Sequence, residues 1–344
     1  MAEGKLTTAV VGLDERGQGI LQSLARLEEA FEIAAVADAD GDAAQKAGKR
    51  YGASGYDDLR QMLIQKELDL IISAGPLHGS IEHLQAAMRK GCHILRCPPA
   101  ARSFGEAAEL FKIAEENEVT FSVARPWRRR RGFAAMKRYL EQNTDEQFYL
   151  VEAWCSSAQR TDINDWQKDP QLAGGGVVLN LCYPLIDQIT TLFSSPQQVY
   201  ALCTNLAPDR TQRQALTEDT AAVSMRFDDR LIGKIVASRT LWPGGWLIRA
   251  HGKNCHLTLN ERGFSARDSD GALLQRPGRR DNEELLVDQM LRELAEAILA
   301  GDYRPFEKEA SETLGSMALI QAAYLSDKTG MPEEPRRIVE MTGG

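Results

Sequence analysis

Val10-Val11-Gly12-Leu13-Asp14-Glu15-Arg16-Gly17 reads as the end of a buried strand, a glycine-bearing turn and the start of a helix. Working outward, residues 5–11 form the strand, residues 17–28 an amphipathic helix, and residues 32–37 a second strand that ends at Asp38. The alternation continues with helices over 42–51, 79–90 and 104–117 and strands over 68–73, 92–95 and 120–123. Short strands separated by helices need crossover connections, and crossovers build a parallel sheet covered on both faces. Residues 1–124 are therefore expected to form a doubly wound parallel sheet of the Rossmann type.

Beyond this point the pattern changes. A basic run, residues 125–131, leads into a helix over 132–142, and the strands that follow are longer and alternate in polarity. In 219–227 and 231–240 apolar residues recur at every second place, with Asp228 and Asp229 between them, the pattern of a hairpin with one buried face. Further strands are read at 147–156, 198–205, 247–251 and 256–260, with a helix over 176–192 packed on the sheet. Two helices close the chain, at 282–300 and 311–328. The first carries the stripe Leu286, Met290, Leu294 and Ile298 and stops at Gly301; the second stops at Gly330 with Pro332 beyond it. Residues 125–344 are expected to be an α+β domain carrying an open, mostly antiparallel sheet, with its C-terminal helices free to pack back on the first domain.

The chain as a whole agrees with two domains, since 344 residues exceed one ordinary core. The 49 acidic against 41 basic residues give a net charge of −8, which argues against nucleic acid or an anionic membrane as partner. No apolar leader opens the sequence and no stretch approaches the roughly 20 apolar residues of a membrane span, so a cytoplasmic location is expected. The cysteines at 92, 97, 155, 182, 203 and 255 form no CxxC pair, and the histidines are not arrayed around them. No metal site is expected, and the thiols read as reduced and mostly buried.

Four stretches in order along the chain resemble the Gfo/Idh/MocA family of glucose–fructose and inositol-type oxidoreductases. They are residues 10–17 with Val36-Ala37-Asp38; Gly91-Cys92-His93-Ile94-Leu95-Arg96-Cys97-Pro98-Pro99-Ala100; the triple glycine and helix Gly174-Gly175-Gly176-Val177-Val178-Leu179-Asn180-Leu181-Cys182-Tyr183-Pro184-Leu185-Ile186-Asp187; and the closing Ala322-Ala323-Tyr324-Leu325-Ser326-Asp327-Lys328-Thr329-Gly330. The resemblance implies a nicotinamide cofactor, NAD, held by Gly12, Leu13, Asp14, Gly17, Asp38, Pro76 and Pro99. It also implies a sugar-like substrate bordered by Trp166 and the triple-glycine helix, and pairing into a homodimer or homotetramer through the bare sheet face.

The departures from the family pattern lie where its chemistry sits. Asp14 replaces the second glycine of the fingerprint, where the backbone must approach a pyrophosphate. Two unit charges at ~4 Å and an effective dielectric near 20 repel by roughly 4 kcal/mol, less when exposed. Gly12 and Gly17 then either serve a cofactor or only shape the turn. Asp38 suits an adenosine ribose, and is also an ordinary residue for a strand end. The family's Thr-Pro-Asn turn reads Gly75-Pro76-Leu77, the lysine of its Glu-Lys-Pro motif reads Pro98, and its catalytic Asp and His read Asn180 and Pro184. Proline can neither take a proton nor supply a cation, and a positioned base is worth roughly 10²–10⁴-fold.

Replacement candidates are Tyr183 and Asp187 as acid and anchor, and Arg129 within Pro126-Trp127-Arg128-Arg129-Arg130-Arg131 as a clamp for an anionic ligand. The same run also reads as a solvated basic face, or as charge compensated internally by Asp187. Arg129, Trp166, Asn180 and Tyr183 are the candidate ligand contacts. The expected function is an oxidoreductase-family protein without dehydrogenase activity that binds a small, anionic, sugar-like molecule or a partner. The alternative is an active NAD-dependent oxidoreductase on a sugar or polyol, using Tyr183 and Arg129.

Overall fold

The computed structural model describes residues 4–158, 165–206 and 216–342. They fall into two compact units. The first comprises Met1–Ala101, Gly105–Pro126 and Asn282–Ser311; the second comprises Arg102–Phe104, Trp127–Asp281 and Glu312–Gly344.

In the first unit, β1 (Leu6–Val11), β2 (Phe31–Ala37), β3 (Ser54–Tyr56), β4 (Leu70–Ser73), β5 (His93–Arg96) and β6 (Phe121–Val123) form one sheet in the order β3-β2-β1-β4-β5-β6. Every pairing is parallel. The order reverses between β1 and β4, so the turns after Val11 and Ser73 meet at the switch point where such sheets bind ligands. Aspartates start the helices: Asp14 caps Glu15–Arg26, Asp40 caps Gly41–Tyr51 and Asp58 caps Leu59–Gln65, each accepting amides of the first turn. The strand Ser54–Tyr56 and the helix Leu59–Gln65 are additions to the elements read from sequence. The helix Glu283–Ala300 completes this core: Met290, Leu291, Leu294 and Ile298 join Leu21 and Leu24, and Arg26 grips Asp288 through Nε at 2.9 Å and a terminal nitrogen at 2.8 Å. Burial opposes the charge of Asp288, and Arg26 outweighs it, holding the carboxyl below its ordinary value.

In the second unit the strands are β7 (Phe148–Ser156), β8 (Gln198–Thr204), β9 (Thr220–Arg226), β10 (Ile232–Ser238), β11 (Gly245–Gly252), β12 (Cys255–Asn260), β13 (Gly263–Asp268) and β14 (Leu273–Gln275). They lie in the order β14-β13-β12-β11-β7-β10-β9-β8. Only β10 with β7 is a parallel pairing among them; the rest are antiparallel. The β9–β10 hairpin turns on Asp228, whose Oδ1 accepts the amides of Arg230 and Leu231 at 2.7 and 2.6 Å. Its Ala221, Val223, Met225, Ile235 and Ala237 are buried, as the alternation required. The helix Arg131–Gln142 packs on β12 and β13.

Three readings are corrected. The helix expected over 176–192 is two, Val177–Asn180 and Tyr183–Phe193, because Pro184 belongs in the first turn of a helix. The helix expected from 311 starts earlier, at Arg304, and a further helix, Pro335–Thr342, follows it. Among the described residues no single helix is long and apolar enough to cross a membrane.

Candidate functional site

β1 delivers the chain to Gly12 at φ +85°. A Cβ there would stand 2.1 Å from the amide nitrogen of Gly75, so only glycine lets the turn after β1 touch the turn after β4. The next turn is filled by the protein's own side chains. Asp14 Oδ1 accepts the amides of Arg16 at 3.0 Å and Gly17 at 3.1 Å, and its Oδ2 pairs with the Arg16 guanidinium at 3.3 Å. These amides are the donors that a helix N-terminus offers a phosphate. Arg16 reaches on to the carbonyls of Pro98 at 3.0 Å and Ala74 at 3.4 Å, bridging the turns that follow β5 and β4. Asp38 is also engaged, accepting the Leu13 amide at 2.7 Å on Oδ2 and the Asp40 amide at 2.9 Å on Oδ1.

Gly12, Leu13, Asp14, Gly17 and Asp38 are thus brought together in one turn. Pro76 is exposed beside Leu77, which is buried, and Pro99 is buried behind a cis Pro98–Pro99 peptide. A nicotinamide dinucleotide does not fit these residues as they stand. The amides for its pyrophosphate hold Asp14, and the carboxylate for its ribose holds Leu13.

Beneath this turn lies a residue that the motif reading passed over. Arg96, 2% exposed, donates to the Ser73 carbonyl at 2.6 Å, Ser73 Oγ at 3.1 Å and the Gly75 carbonyl at 2.8 Å. Burial pulls its pKa down to about 10. The neighbouring thiol, Cys97, is pushed up by the same burial.

In the second unit the arginine run is largely accounted for. Asp187, wholly buried, accepts the Trp127 indole at 2.7 Å and Arg128 through Nε at 2.8 Å and a terminal nitrogen at 2.5 Å. Arg128 also pairs with Glu312. Burial works against the Arg128 charge, and the two carboxylates more than restore it, raising the guanidinium well above its ordinary value. Arg130 lies over the Trp246 ring at 4.7 Å, and Arg131 binds Asp281 at 2.7 Å. Arg129 is half-buried in the 3-10 turn Pro126–Arg129. The expectation of a solvated basic face is corrected for Arg128 and Arg130, which are half-buried against partners in the unit, while Arg131 stays 62% exposed beside Asp281.

Tyr183 is wholly buried, its ring edge-on to Trp127 at 6.4 Å. Tyr183 and Asp187 are therefore core groups in this state. Asn180 is exposed, and its amide nitrogen donates to the carbonyls of Gly175 at 2.9 Å and Gly176 at 3.1 Å. Trp166 is half-buried on the short helix Asp165–Lys168. Trp242, just before β11, is 79% exposed.

Comparison with known proteins places both units. A family model described as an oxidoreductase family with an NAD-binding Rossmann fold matches residues 6–125, and one described as the GFO/IDH/MocA C-terminal domain matches residues 133–258. Levoglucosan dehydrogenase of Pseudarthrobacter phenanthrenivorans is 22% identical over 302 residues, spanning 79% of this chain and 72% of that one. A solved levoglucosan dehydrogenase in complex with NADH and levoglucosan superposes with a TM-score of 0.82 at 17% identity, covering 96% of this chain and 99% of that one. The WlbA dehydrogenase of Bordetella pertussis in complex with NADH and UDP-GlcNAcA superposes with a TM-score of 0.80 at 21% identity over 96% and 99%.

Proposed function

The chain belongs to the Gfo/Idh/MocA oxidoreductase family, and from that premise we propose that it is a member without dehydrogenase activity, retaining the fold to bind a small anionic, sugar-like molecule or a partner. The observation that carries this reading is the turn after β1, where Asp14 takes the Arg16 and Gly17 amides that a pyrophosphate would need. The absent chemistry points the same way: Pro98, Asn180 and Pro184 stand where a cation, a carboxylate and a base would be required, and none can supply them.

The competing reading is an active NAD-dependent enzyme on a sugar or polyol, using Tyr183 and Arg129. It draws support from dehydrogenases of the same fold that carry NADH and sugar ligands. The burial of Tyr183 weighs against it. Calorimetric titration with NAD and NADP decides between them, together with absorbance in the nicotinamide band of the purified protein. The first reading expects neither heat nor band. Micromolar NAD binding with turnover that Tyr183→Phe abolishes would establish the second.

We also propose that the chain self-associates through the open face of the eight-stranded sheet. Leu202, Ala222, Val236 and Trp154 lie side by side in register across β8, β9, β10 and β7 on that face. Leu202 is 59% and Val236 36% exposed, an apolar row that a second copy would cover.

A further inference from the structure

The buried cation beneath the first turn has a consequence for ligands, which rests on the reading of a closed cradle just given. Arg96 donates only to neutral oxygens, those of Ser73 and Gly75, and its Nε has no partner. A cation taken out of water without a counter-charge is costly, so an anion nearby stabilises the fold. Asp14 supplies a carboxylate whose charge favours that of Arg96, although Arg16 beside it opposes that charge more strongly. The path from Arg96 to Asp14 is short. Arg96 holds the Gly75 carbonyl, the Gly75 amide lies against Gly12, and Gly12 opens the loop that carries Asp14. Arg16 adds a second, half-exposed cation that pairs with this carboxylate. The Arg16 guanidinium and the amide end of a 12-residue helix therefore meet on one side chain, and Arg96 lies beneath the neighbouring Gly75 turn.

We propose that Asp14 is a built-in substitute for a phosphate, and that the turn after β1 is a latent site for a phosphate or pyrophosphate group, held shut by this one carboxylate. A tethered anion has an effective concentration that a free one must outcompete, so the wild-type site stays closed at ordinary ligand levels. Removing the carboxylate leaves the amides of Arg16 and Gly17, Arg16 itself and the field of Arg96 without an anion. A doubly charged phosphate then answers them better than a carboxylate did.

The test compares the full chain with its Asp14→Gly and Asp14→Asn variants, titrated with inorganic pyrophosphate at matched ionic strength and read by calorimetry and thermal shift. Wild type should show no response beyond a chloride control. Asp14→Gly should melt lower without anion, recover with pyrophosphate, and bind it at least tenfold more tightly than wild type. Asp14→Asn keeps a capping side chain while losing the charge, and should also bind more tightly than wild type. Adding Arg96→Gln to the glycine variant should weaken binding severalfold. If Asp14→Gly melts cooperatively yet ignores pyrophosphate, the latent site is disproved, while the reading of a wild type closed to dinucleotides stands. If wild type binds pyrophosphate as well as the variants do, the lock and that reading fall together. Should Asp14→Gly not fold, Asp14→Asn decides, and no tightening there overturns the proposal.

Discussion

The carboxylate of Glu218 holds the backbone amide of Gly176 at 2.8 Å, 42 residues back along the chain. Its second oxygen takes the Val178 amide at 2.9 Å and the Tyr324 hydroxyl at 2.8 Å, and that hydroxyl accepts the Leu179 amide at 3.1 Å. The helix start after the triple glycine is therefore closed by a side chain, as the first helix is by Asp14. A Cβ on Gly176 would fall 1.8 Å from the Glu218 carbonyl oxygen, which is why glycine is required where the two segments meet. The triple glycine thus keeps a structural purpose that does not depend on a reaction.

Glu218→Gln should destabilise the second unit by about 1–3 kcal/mol, since one amide loses a proper acceptor in a buried place. Burial raises the Glu218 carboxyl above its ordinary 4.5, although the amides of Val178 and Gly176 and the Tyr324 hydroxyl oppose the shift. A raised folded value means that the folded state holds its proton longer than the unfolded chain does. The stabilising contribution is then complete below pH 4.5 and is lost as pH rises through the folded value. The stability gap between wild type and variant, followed by denaturant melts across pH, should narrow from acid upward. A gap that widens would refute the assignment.

Asp187→Asn should cost about 3–5 kcal/mol, because it strips a wholly buried carboxylate from Arg128 and Trp127. Replacing the pair together, Arg128→Met with Asp187→Leu, should recover much of the loss. Urea melts followed by tryptophan emission report it directly, since the Trp127 indole is one of the donors to Asp187.

Val236→Asp should turn the assembly into monomers by light scattering without lowering the melting temperature of the monomer, because the residue points to the open face of β10. A wild type that is already monomeric at working concentrations would remove the sheet face as an interface.

Acidic sugars should raise the melting temperature beyond a salt control while neutral polyols do not, and Arg129→Ala should blunt the response. A ligand at 100 times its dissociation constant adds about 2.7 kcal/mol. A flat screen would show that the arginines serve the fold alone.

Much of this was legible in the sequence, for physical reasons. The buried strands of the first unit are apolar runs, whereas the helices begin earlier than the 17 and 42 read from sequence, because Asp14 and Asp40 cap them. The strand Ser54–Tyr56 sits at the sheet edge with only Tyr56 buried, so it left no hydrophobic signature. Residues 263–268, unassigned from sequence because Ser265, Arg267 and Asp268 break any apolar run, pair as β13. Pro184 was noted for the base it replaces, and its second meaning, a new helix start, was overlooked. At the candidate site the positions were readable and the partners were not. Nothing local reveals that Glu218 reaches Gly176, that Asp38 turns to Leu13, or that Arg96 lies beneath Gly75, because each bond joins segments 21 to 42 residues apart.

The route of the chain sets an order on its own synthesis. Residues 127–281 belong to the second unit, yet Met290, Leu291, Leu294 and Ile298 are part of the first unit's core. A ribosome that has finished β6 has made a sheet whose helix Glu15–Arg26 still presents Leu21 and Leu24 to water. That surface is covered only after about 160 further residues have emerged, roughly ten to thirty seconds at common elongation rates. During that interval the nascent first unit is an incomplete body with an uncovered apolar flank, and Arg26 waits for Asp288 to close it.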